Sequence, residues 1–291
     1  NPVSGQSCCS LGLRHRAPAH RRLSGLSISH SDNHKPAIKA FLIDLDGTLI
    51  GPDERISPRV AQAVRRVSQR IPVSIATGRE PKDAIGYAQI LGLTTRQISD
   101  NGALILDSTG NEVWSVPLGQ INSARVMEII AARGYPFIAT HPGGTILDFR
   151  EIESQDLTRI SALDMTEDVA DALVEETRAY GAMNIVKASL PYNGLWAVDF
   201  TSEGVDKAAA ARVLASMTGI QANQFVAAGD SYNDLPMLKL AGMSISMGNA
   251  PDQVKQVADY VAPSVEEDGL AVAIDEFILP SLDHGGVVND H

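Results

Sequence analysis

The sequence has little cysteine and no long apolar segment. Its only two cysteines are the neighbours Cys8 and Cys9, so nothing in the rest of the chain can form a disulfide bond. This is typical of proteins of the reducing cytosol. No apolar run approaches the roughly 18 residues that a membrane-spanning helix requires. We therefore expect a cytoplasmic protein without a membrane partner.

Positive charge is scarce outside the start of the chain. The formal net charge of the 291 residues is −11, although the first 35 residues hold five Lys or Arg and a single Asp. The rest of the chain is therefore strongly acidic, whereas binding to nucleic-acid phosphates needs clustered Lys and Arg. We expect no nucleic-acid partner. The length, with 44% hydrophobic residues, suits one large domain or two.

Residues 1–36 have no clear hydrophobic period and are rich in Ser, Arg and His. We predict a disordered tail here. Two alternatives stay open. An organellar transit peptide would fit the Arg and Ser content, but the segment lacks an initiating Met and a convincing amphipathic helix. The other alternative is an over-extended or truncated start.

The stretch from Lys39 to Ile50 carries the first chemical signal. Ala40 to Ile43 form an unbroken apolar run, which predicts a parallel strand buried on both faces. Asp44 follows directly, Asp46 lies two residues further on, and Gly47 allows a sharp turn. Ligands of open parallel sheets bind at the carboxyl ends of the strands, and two carboxylates in one turn repel each other, so a shared Mg²⁺ is the expected neutraliser. A solvated Asp-x-Asp-Gly turn without a metal is the alternative that these residues alone leave open.

Three further short motifs follow, each behind a strand or at the start of a helix. They are Thr77-Gly78-Arg79, then Lys207 within Gly204-Val205-Asp206-Lys207, then Asp230 and Asp234 within Gly229-Asp230-Ser231-Tyr232-Asn233-Asp234. Together with the Asp-x-Asp-Gly-Thr sequence at Asp44, this order resembles the four motifs of the haloacid dehalogenase-like superfamily, most of whose members are Mg²⁺-dependent phosphatases. Any one of these motifs is weak, and their common order carries the resemblance.

Strands and helices alternate on both sides of a long middle segment. Before it, a helix with the N-cap Ser57 and Pro58 at its first position is followed by a strand at 71–76, a helix at 81–91 and a strand at 97–99. This alternation predicts an α/β fold with a doubly wound parallel sheet. The resemblance makes it the Rossmann-like core of the superfamily, at residues 37–102 and 201–280. A last helix is expected at 270–279 and a loose tail at 281–291.

The middle segment, residues 103–200, has a different pattern. Two helices, at 121–133 and 167–180, are expected among strands at 103–106, 112–116, 137–140, 145–149, 183–188 and 195–200. Only 32 residues separate Asp44 from Thr77, whereas 129 separate Thr77 from Lys207. In the superfamily, a cap domain inserted after the second motif defines class II, and this α+β content is similar to that of the Cof-type subclass IIB. An unrelated second domain is the alternative.

The resemblance implies a role for each carboxylate. Asp44 would be the nucleophile that forms an aspartyl-phosphate. Asp46 would protonate the leaving oxygen and later activate water. Mg²⁺ would bind the carboxylates of Asp44 and Asp230 and the backbone carbonyl of Asp46. Asp234 would orient Lys207 or a metal-bound water.

The resemblance also places donors around the transferring phosphoryl group. These are the amides of Leu45 and Gly78 and the side chains of Thr77, Lys207 and Asn233. Taken singly, Lys207 reads as a solvated helix residue, Thr77 as a strand-end hydroxyl and Asp234 as a helix N-cap. For Arg79, substrate binding and helix capping both stay open.

The resemblance implies a phosphatase of a small phosphorylated metabolite, a sugar or polyol phosphate, that is a monomer or small homo-oligomer. A phosphomutase or phosphotransferase on the same fold is one alternative. A non-catalytic protein that binds phosphorylated metabolites is another, against which the intact acidic motif positions argue. The cap is expected to select the substrate and to hinge near Asn101-Gly102 and near Thr201 to Gly204. Its polar residues expected to face the site are His141, Arg150, Asn184 and Lys187.

Overall fold

The structure, a computed structural model, describes residues 37–152, 156–190 and 193–284. The predicted tail at 1–36 lies outside the described residues. In the part of the chain that is described, no helix is long and apolar enough to cross a membrane.

The strands in chain order are β1 Ala40–Ile43, β2 Val73–Ile75, β3 Gln97–Ser99, β4 Leu104–Leu106, β5 Glu112–Ser115, β6 Phe137–His141, β7 Gly144–Ile146, β8 Arg159–Met165, β9 Met183–Ser189, β10 Trp196–Ser202, β11 Phe225–Gly229, β12 Met243–Ser246 and β13 Tyr260–Val261. The α-helices are α1 Pro58–Ser68, α2 Pro81–Leu91, α3 Gln120–Arg133, α4 Glu167–Arg178, α5 Lys207–Thr218, α6 Leu235–Leu240, α7 Asp252–Lys255, α8 Gly269–Ala273 and α9 Leu279–His284. A π-helical turn, Ile274–Ile278, joins α8 to α9. Short 3₁₀ turns lie at Asp100–Gly102, Phe149–Glu151, Ala222–Gln224, Tyr232–Asp234 and Val265–Glu267.

The core sheet is wholly parallel, in the order β13-β12-β11-β1-β2. On one face Phe41 and Ile43 belong to a cluster that includes Val64 of α1, and on the other Leu42 packs in a cluster with Leu214 of α5. The strands can therefore be apolar throughout, because neither face meets water. The predicted α/β fold with a doubly wound parallel sheet is confirmed.

The hairpin β4–β5 corrects the predicted start of the cap. β4 pairs with β3, and β3 lies beside β2 through the bridge between Ala76 and Ile98. Ile105 of β4 is buried with Leu42 and Ile98 in a cluster of the core. Residues 103–116 thus pack on the core, because the apolar face of their hairpin is covered there. The chain crosses to the cap at Pro117, since the Val116 amide donates to Ala103 and the Leu118 amide to Leu157.

The cap is a five-stranded antiparallel sheet in the order β7-β6-β8-β10-β9, with α3 and α4 on one face. Its central strand, β8, was not predicted from the sequence. Ile160 and Ala162 are buried in the cluster that includes the helices, and Met165 joins them after an irregularity at Asp164, whose φ is 58°. The residues between, Arg159, Ser161 and Leu163, lie on the opposite face, since side chains alternate along a strand.

The C-terminal segment corrects a second prediction. Residues 281–284, expected to be loose, continue the helix as α9. Leu282 packs against the core, and Asp283 forms an ion pair of 2.7 Å with Arg70. These contacts hold the last turns of helix in place. Residues 285–291 lie outside the described range.

Candidate active site

The site lies where β1 and β11 end side by side. The two strands are neighbours, one followed by β2 and the other by β12, so the chain winds away from this point in both directions. Asp44 follows β1 and Asp230 follows β11, and the Asp44 amide donates to Ala228 at 2.9 Å. Such a switch point is where open α/β sheets bind ligands. Gly47 allows the close approach, because its φ is +73° and a Cβ there would lie 2.1 Å from Asp230 Oδ2.

Lys207 joins two of the acidic motif residues. Its Nζ lies 2.5 Å from Asp44 Oδ1 and 2.6 Å from Asp234 Oδ1. All three side chains are buried. Lys207 is the first residue of α5, which Asp206 caps by accepting from the Ala209 amide. A helix that begins beside the sheet edge therefore delivers the ammonium group into the carboxylate cluster.

The carboxylates of this cluster are electrostatically strained. Burial, followed by the charge of Asp234, raises the pKa of Asp44 to about 7. Burial, followed by the charge of Asp44, raises the pKa of Asp230 to about 8. Burial alone would lower the pKa of Lys207, but Asp234 and Asp44 outweigh it and raise that pKa above its ordinary value. One ammonium group is thus not enough to neutralise the carboxylates around it.

A divalent cation fits this donor set. Oxygen atoms of Asp44, Asp230 and Asp234 lie within 4.8 Å of one another. Asp234 is already fully used, because Oδ1 accepts from Lys207 and Oδ2 accepts from the amides of Asp230 and Ser231 and from the Ser231 hydroxyl. Asp44 and Asp230 remain as a pair of carboxylates that repel each other, and an all-oxygen pair suits a hard cation such as Mg²⁺. These are the two carboxylates that were predicted from the sequence to bind Mg²⁺.

Asp46 lies at the edge of the site, bound to Arg79. Arg79 donates to Asp46 from Nε at 3.0 Å and from Nη2 at 2.7 Å, and it also pairs with Glu54 and Asp83. Arg79 also lines the cavity, so substrate binding stays a prediction for it. Its guanidinium group orients the second carboxylate of the first motif.

The predicted phosphate donors divide into two groups. Lys207 and Gly78 line the cavity beside Asp44, and the amides of Leu45 and Gly78 donate to no acceptor among the described residues. Thr77 is buried, and its Oγ1 accepts from the Arg79 amide. Asn233 also lines the cavity, but its Nδ2 donates to Asn101 Oδ1 at 3.1 Å.

Core and cap residues line one cavity of about 900 Å³. Of the four cap residues expected to face the site, Asn184 and Lys187 line the cavity, whereas His141 and Arg150 are not among its described lining residues. Lys187 binds Glu167 and Asp171 on the helix side of the cap, and Asn184 donates to the Val205 carbonyl at the second crossing. His141 ends β6 and accepts from the Gly143 amide, and Arg150 lies in the 3₁₀ turn after β7 and pairs with Asp148.

Three residues that line the cavity were missed or left open by sequence reasoning. Asn101, buried and at φ 53°, donates to Asp199 Oδ2 at 2.8 Å. Arg159 lies 3.3 Å from both Asp199 and the buried Asp100. The period-2 pattern of β8 could have placed Arg159 opposite the helix side, but only if that strand had been recognised. Asn249, also missed, donates to Asp230 Oδ2 and to the Gly47 carbonyl, which fixes the metal-ligand candidate.

Comparison with known proteins identifies the family. The model of the haloacid dehalogenase-like hydrolases matches residues 41–150 and 140–274. A 5-amino-6-(5-phospho-D-ribitylamino)uracil phosphatase of Bacillus subtilis is 31% identical, over 83% of this chain and 96% of its own length. A phosphoglycolate phosphatase of Natronomonas pharaonis is 30% identical, over 82% of this chain and 97% of its own length.

Solved structures agree on the fold. A sugar phosphatase of haloacid dehalogenase subclass IIB superposes with a TM-score of 0.70 at 22% identity, covering 83% of this chain and 99% of the other. At this identity the likeness shows the fold, including the type of cap. The chain therefore belongs to the haloacid dehalogenase-like hydrolases, with a core and cap of the subclass IIB type, as the order of its four motifs indicated.

Proposed function

We propose that this hydrolase is a Mg²⁺-dependent phosphatase that acts on a small phosphorylated metabolite through an aspartyl-phosphate. The observation that carries the proposal is the buried cluster of Asp44, Asp230 and Asp234 around Lys207, beside amides of Leu45 and Gly78 that donate to no acceptor in the described part of the chain. Relatives that are named phosphatases support the same reaction class, a phosphoric monoester hydrolase.

Asp44 is the nucleophile in this proposal. One of its oxygens attacks phosphorus, the ester P–O bond breaks, and Asp46 gives a proton to the leaving alkoxide. Asp46 then takes a proton from water, which attacks the phosphorus and releases phosphate and the free Asp44 carboxylate. Arg79 holds the partly exposed Asp46 carboxylate at the rim of the cavity.

The chain holds the phosphoryl group with fixed donors. Lys207 cannot turn away, because Asp234 anchors it at 2.6 Å and both side chains are buried. The amides of Leu45 and Gly78 add neutral donors that need no reorganisation. Asp44, Asp230 and the Asp46 carbonyl would hold Mg²⁺, which when bound would supply positive charge to offset that of the phosphoryl oxygens.

A sugar or polyol phosphate is the substrate class we favour. The cavity of about 900 Å³ has room for a leaving group of several carbons. Named relatives act on a ribitylamino-uracil phosphate in one case and on phosphoglycolate in another, so the family accepts leaving groups of different size and charge. The core motifs contact only the phosphoryl group, which leaves this choice to the rest of the cavity.

The experiment is phosphate release from para-nitrophenyl phosphate and a panel of sugar and polyol phosphates, with and without Mg²⁺. We expect activity with Mg²⁺, loss of activity in EDTA, and loss of at least about a thousandfold in Asp44→Asn. The amide keeps the shape of the carboxylate but is neither a nucleophile nor an anionic ligand.

Asp171→Asn is the matched control, because Asp171 is a carboxylate of the cap that binds Lys187 on the helix side. It should keep parental turnover. Steady phosphate release by Asp44→Asn at a rate near the parent's would refute the mechanism. Transfer of phosphate to added sugar in preference to water would instead identify a phosphotransferase.

A further inference from the structure

The cations that line the cavity are all paired with carboxylates. Of the described lining residues, nine are Asp or Glu and four are Lys or Arg. Lys207 binds Asp44 and Asp234, and Arg79 binds three carboxylates. The other two lining cations belong to the cap. The two short internal stretches outside the described residues, 153–155 and 191–192, contain no Lys or Arg.

Lys187 is one of the residues that line the cavity, but its ammonium group points toward helix α4. It pairs with Glu167 and Asp171 of α4 and lies 4.5 Å from the centre of the Trp196 ring. In the strand register it is opposite Val198, which is buried against the cap helices. Lys187 is therefore on the far face of the cap sheet from the cavity.

Arg159 faces the cavity but is enclosed by acid groups. Its Nη1 lies 3.3 Å from Asp199 and its Nε 3.3 Å from Asp100. Burial raises the pKa of Asp100, so this residue holds its proton more tightly than an exposed carboxyl would. Whether Asp100 is protonated or ionised, the three residues together carry no net positive charge. The cap thus offers no surplus cation to a second anionic group.

Asp199, a carboxylate of the cap that lines the cavity, has an acceptor position open to a ligand. Its two oxygens accept from Asn101 Nδ2, Arg159 Nη1 and Ser161 Oγ. A carboxylate has about four acceptor positions, so one is left for a further donor. Asp199 lines the cavity and is 7% exposed. A substrate hydroxyl can donate to that position, whereas a substrate carboxylate or phosphate cannot.

We propose that Asp199, with Arg159 neutralised beside it, makes the cavity select phosphate esters whose leaving group is uncharged and bears hydroxyl groups, and reject those that carry a second anion. This inference rests on the proposed phosphatase function and assigns its specificity to a residue of β10. A second anion next to Asp199 meets like charge in a largely desolvated place, which is costly. Ile138, Leu163 and Val186 also line the cap side of the cavity and supply only apolar contact.

The test compares substrates that differ in charge alone. 2-Hydroxyethyl phosphate and 2-phosphoglycolate have the same number of carbons, but one ends in a hydroxymethyl group and the other in a carboxylate. Glucitol 6-phosphate and 6-phosphogluconate, both open chains of six carbons, form a larger pair of the same kind. For the full-length wild-type protein with Mg²⁺, we expect kcat/KM to favour the uncharged member of each pair by about tenfold or more.

Asp199→Asn should narrow this ratio by roughly tenfold, because it removes the negative charge and leaves Arg159 with one carboxylate in place of two. Asp171→Asn, the same substitution in the same cap but at the Lys187 pair on its helix side, should leave the ratio at the wild-type value. The ratio is the readout because a general loss of packing in the cap would lower both members of a pair together.

The possible results distinguish failure of the specificity proposal from failure of the proposed phosphatase function. A wild-type ratio near or below one overturns the proposal, and this measurement needs no variant to fold. A folded Asp199→Asn protein with an unchanged ratio removes Asp199 from specificity. Absence of Mg²⁺-dependent hydrolysis of every ester, para-nitrophenyl phosphate included, is a distinct outcome that refutes the phosphatase itself.

Discussion

The clustering of buried carboxylates in the site does not favour the stability of the folded protein. Asp44 and Asp234 share a single buried Lys207, with Asp230 close by. Desolvating several like charges around one cation costs more than their pairing returns. A protein without a ligand is therefore expected to hold protons at this site, and a cation that replaces those protons should stabilise the fold.

This leads to a pH dependence of the metal-free protein. The pKa values of Asp44 and Asp230 are about 7 and about 8 in the folded state, against 3.8 in the unfolded chain. The folded state therefore binds more protons, so its stability is greatest below about pH 4 from these groups and is lost as pH rises through 7 and 8. In EDTA, we expect the melting temperature to fall between pH 5 and pH 8.5, and Mg²⁺ to restore it most at the upper end.

Asp230→Asn provides the control for this measurement. It removes one of the two titrating groups and relieves Asp44 of a neighbouring charge, so the fall should become shallower. A metal-free melting temperature that rises over the same range would show that the carboxylates are ionised without a cation.

Some helices and strands could be predicted from the sequence, and others could not. Helix α1 begins where Ser57 and Pro58 indicated, and Ser57 Oγ accepts from the Val60 amide at 3.1 Å. A helix N-cap of this kind is a local interaction, so the local sequence is enough to predict it. Strand β8 and helix α9 were not recognised, because the residues that stabilise them belong to distant parts of the chain.

Helix α9 offers a test at this scale. Leu282 packs against the core cluster and is partly buried, whereas Asp283 reaches Arg70 through an exposed ion pair. We expect Leu282→Ala to lower the free energy of unfolding by about 1–2 kcal/mol, below the range for a fully buried leucine. Asp283→Ala should cost no more than about 1 kcal/mol. Chemical denaturation of the two variants measures both.

The reverse order of these effects would mean that α9 is held by its surface charges. Equal and negligible effects would mean that residues 281–284 do not contribute to the fold, as the sequence had suggested.

For the molecule as a whole, polar contacts join the cap to the core near the first crossing. Asp100 Oδ2 accepts from Thr140 at 2.9 Å and from Thr158 at 2.7 Å, and Asn101 donates to Asp199. A further contact joins Glu80 to Thr145. Asn101, near which a hinge was predicted, thus contacts the cap through Asp199, and the chain itself crosses between core and cap at Pro117 and 203–205.

Thr158→Val should loosen this contact. It replaces a buried hydroxyl by a methyl group of similar size and leaves Asp100 with one donor fewer, which costs about 1–3 kcal/mol. We expect faster hydrogen exchange at the second crossing, around Val205, together with a higher KM. Thr177→Val is the matched control, because Thr177 is a fully buried cap threonine whose hydroxyl donates only within α4.

Thr177→Val should leave exchange at Val205 unchanged even if it lowers the melting temperature. Equal acceleration in both variants would mean that the crossing responds to cap stability in general and not to the Asp100 contact.

The sequence by itself determined the core of this protein and the residues at its centre. Apolar strands and amphipathic helices alternate within short windows, and parallel strands bring their carboxyl ends to one edge, so Asp44 and Asp230 had to meet. Only the tertiary structure decided that the β4–β5 hairpin packs on the core and not on the cap, that Arg79 holds Asp46, and that Arg159 lies between Asp100 and Asp199. These contacts join residues as far apart as Asn101 and Asp199, and they depend on the register of antiparallel strands. A shift of one residue would turn every side chain of such a strand to the other face, and no local pattern specifies the register of β8 against its neighbours.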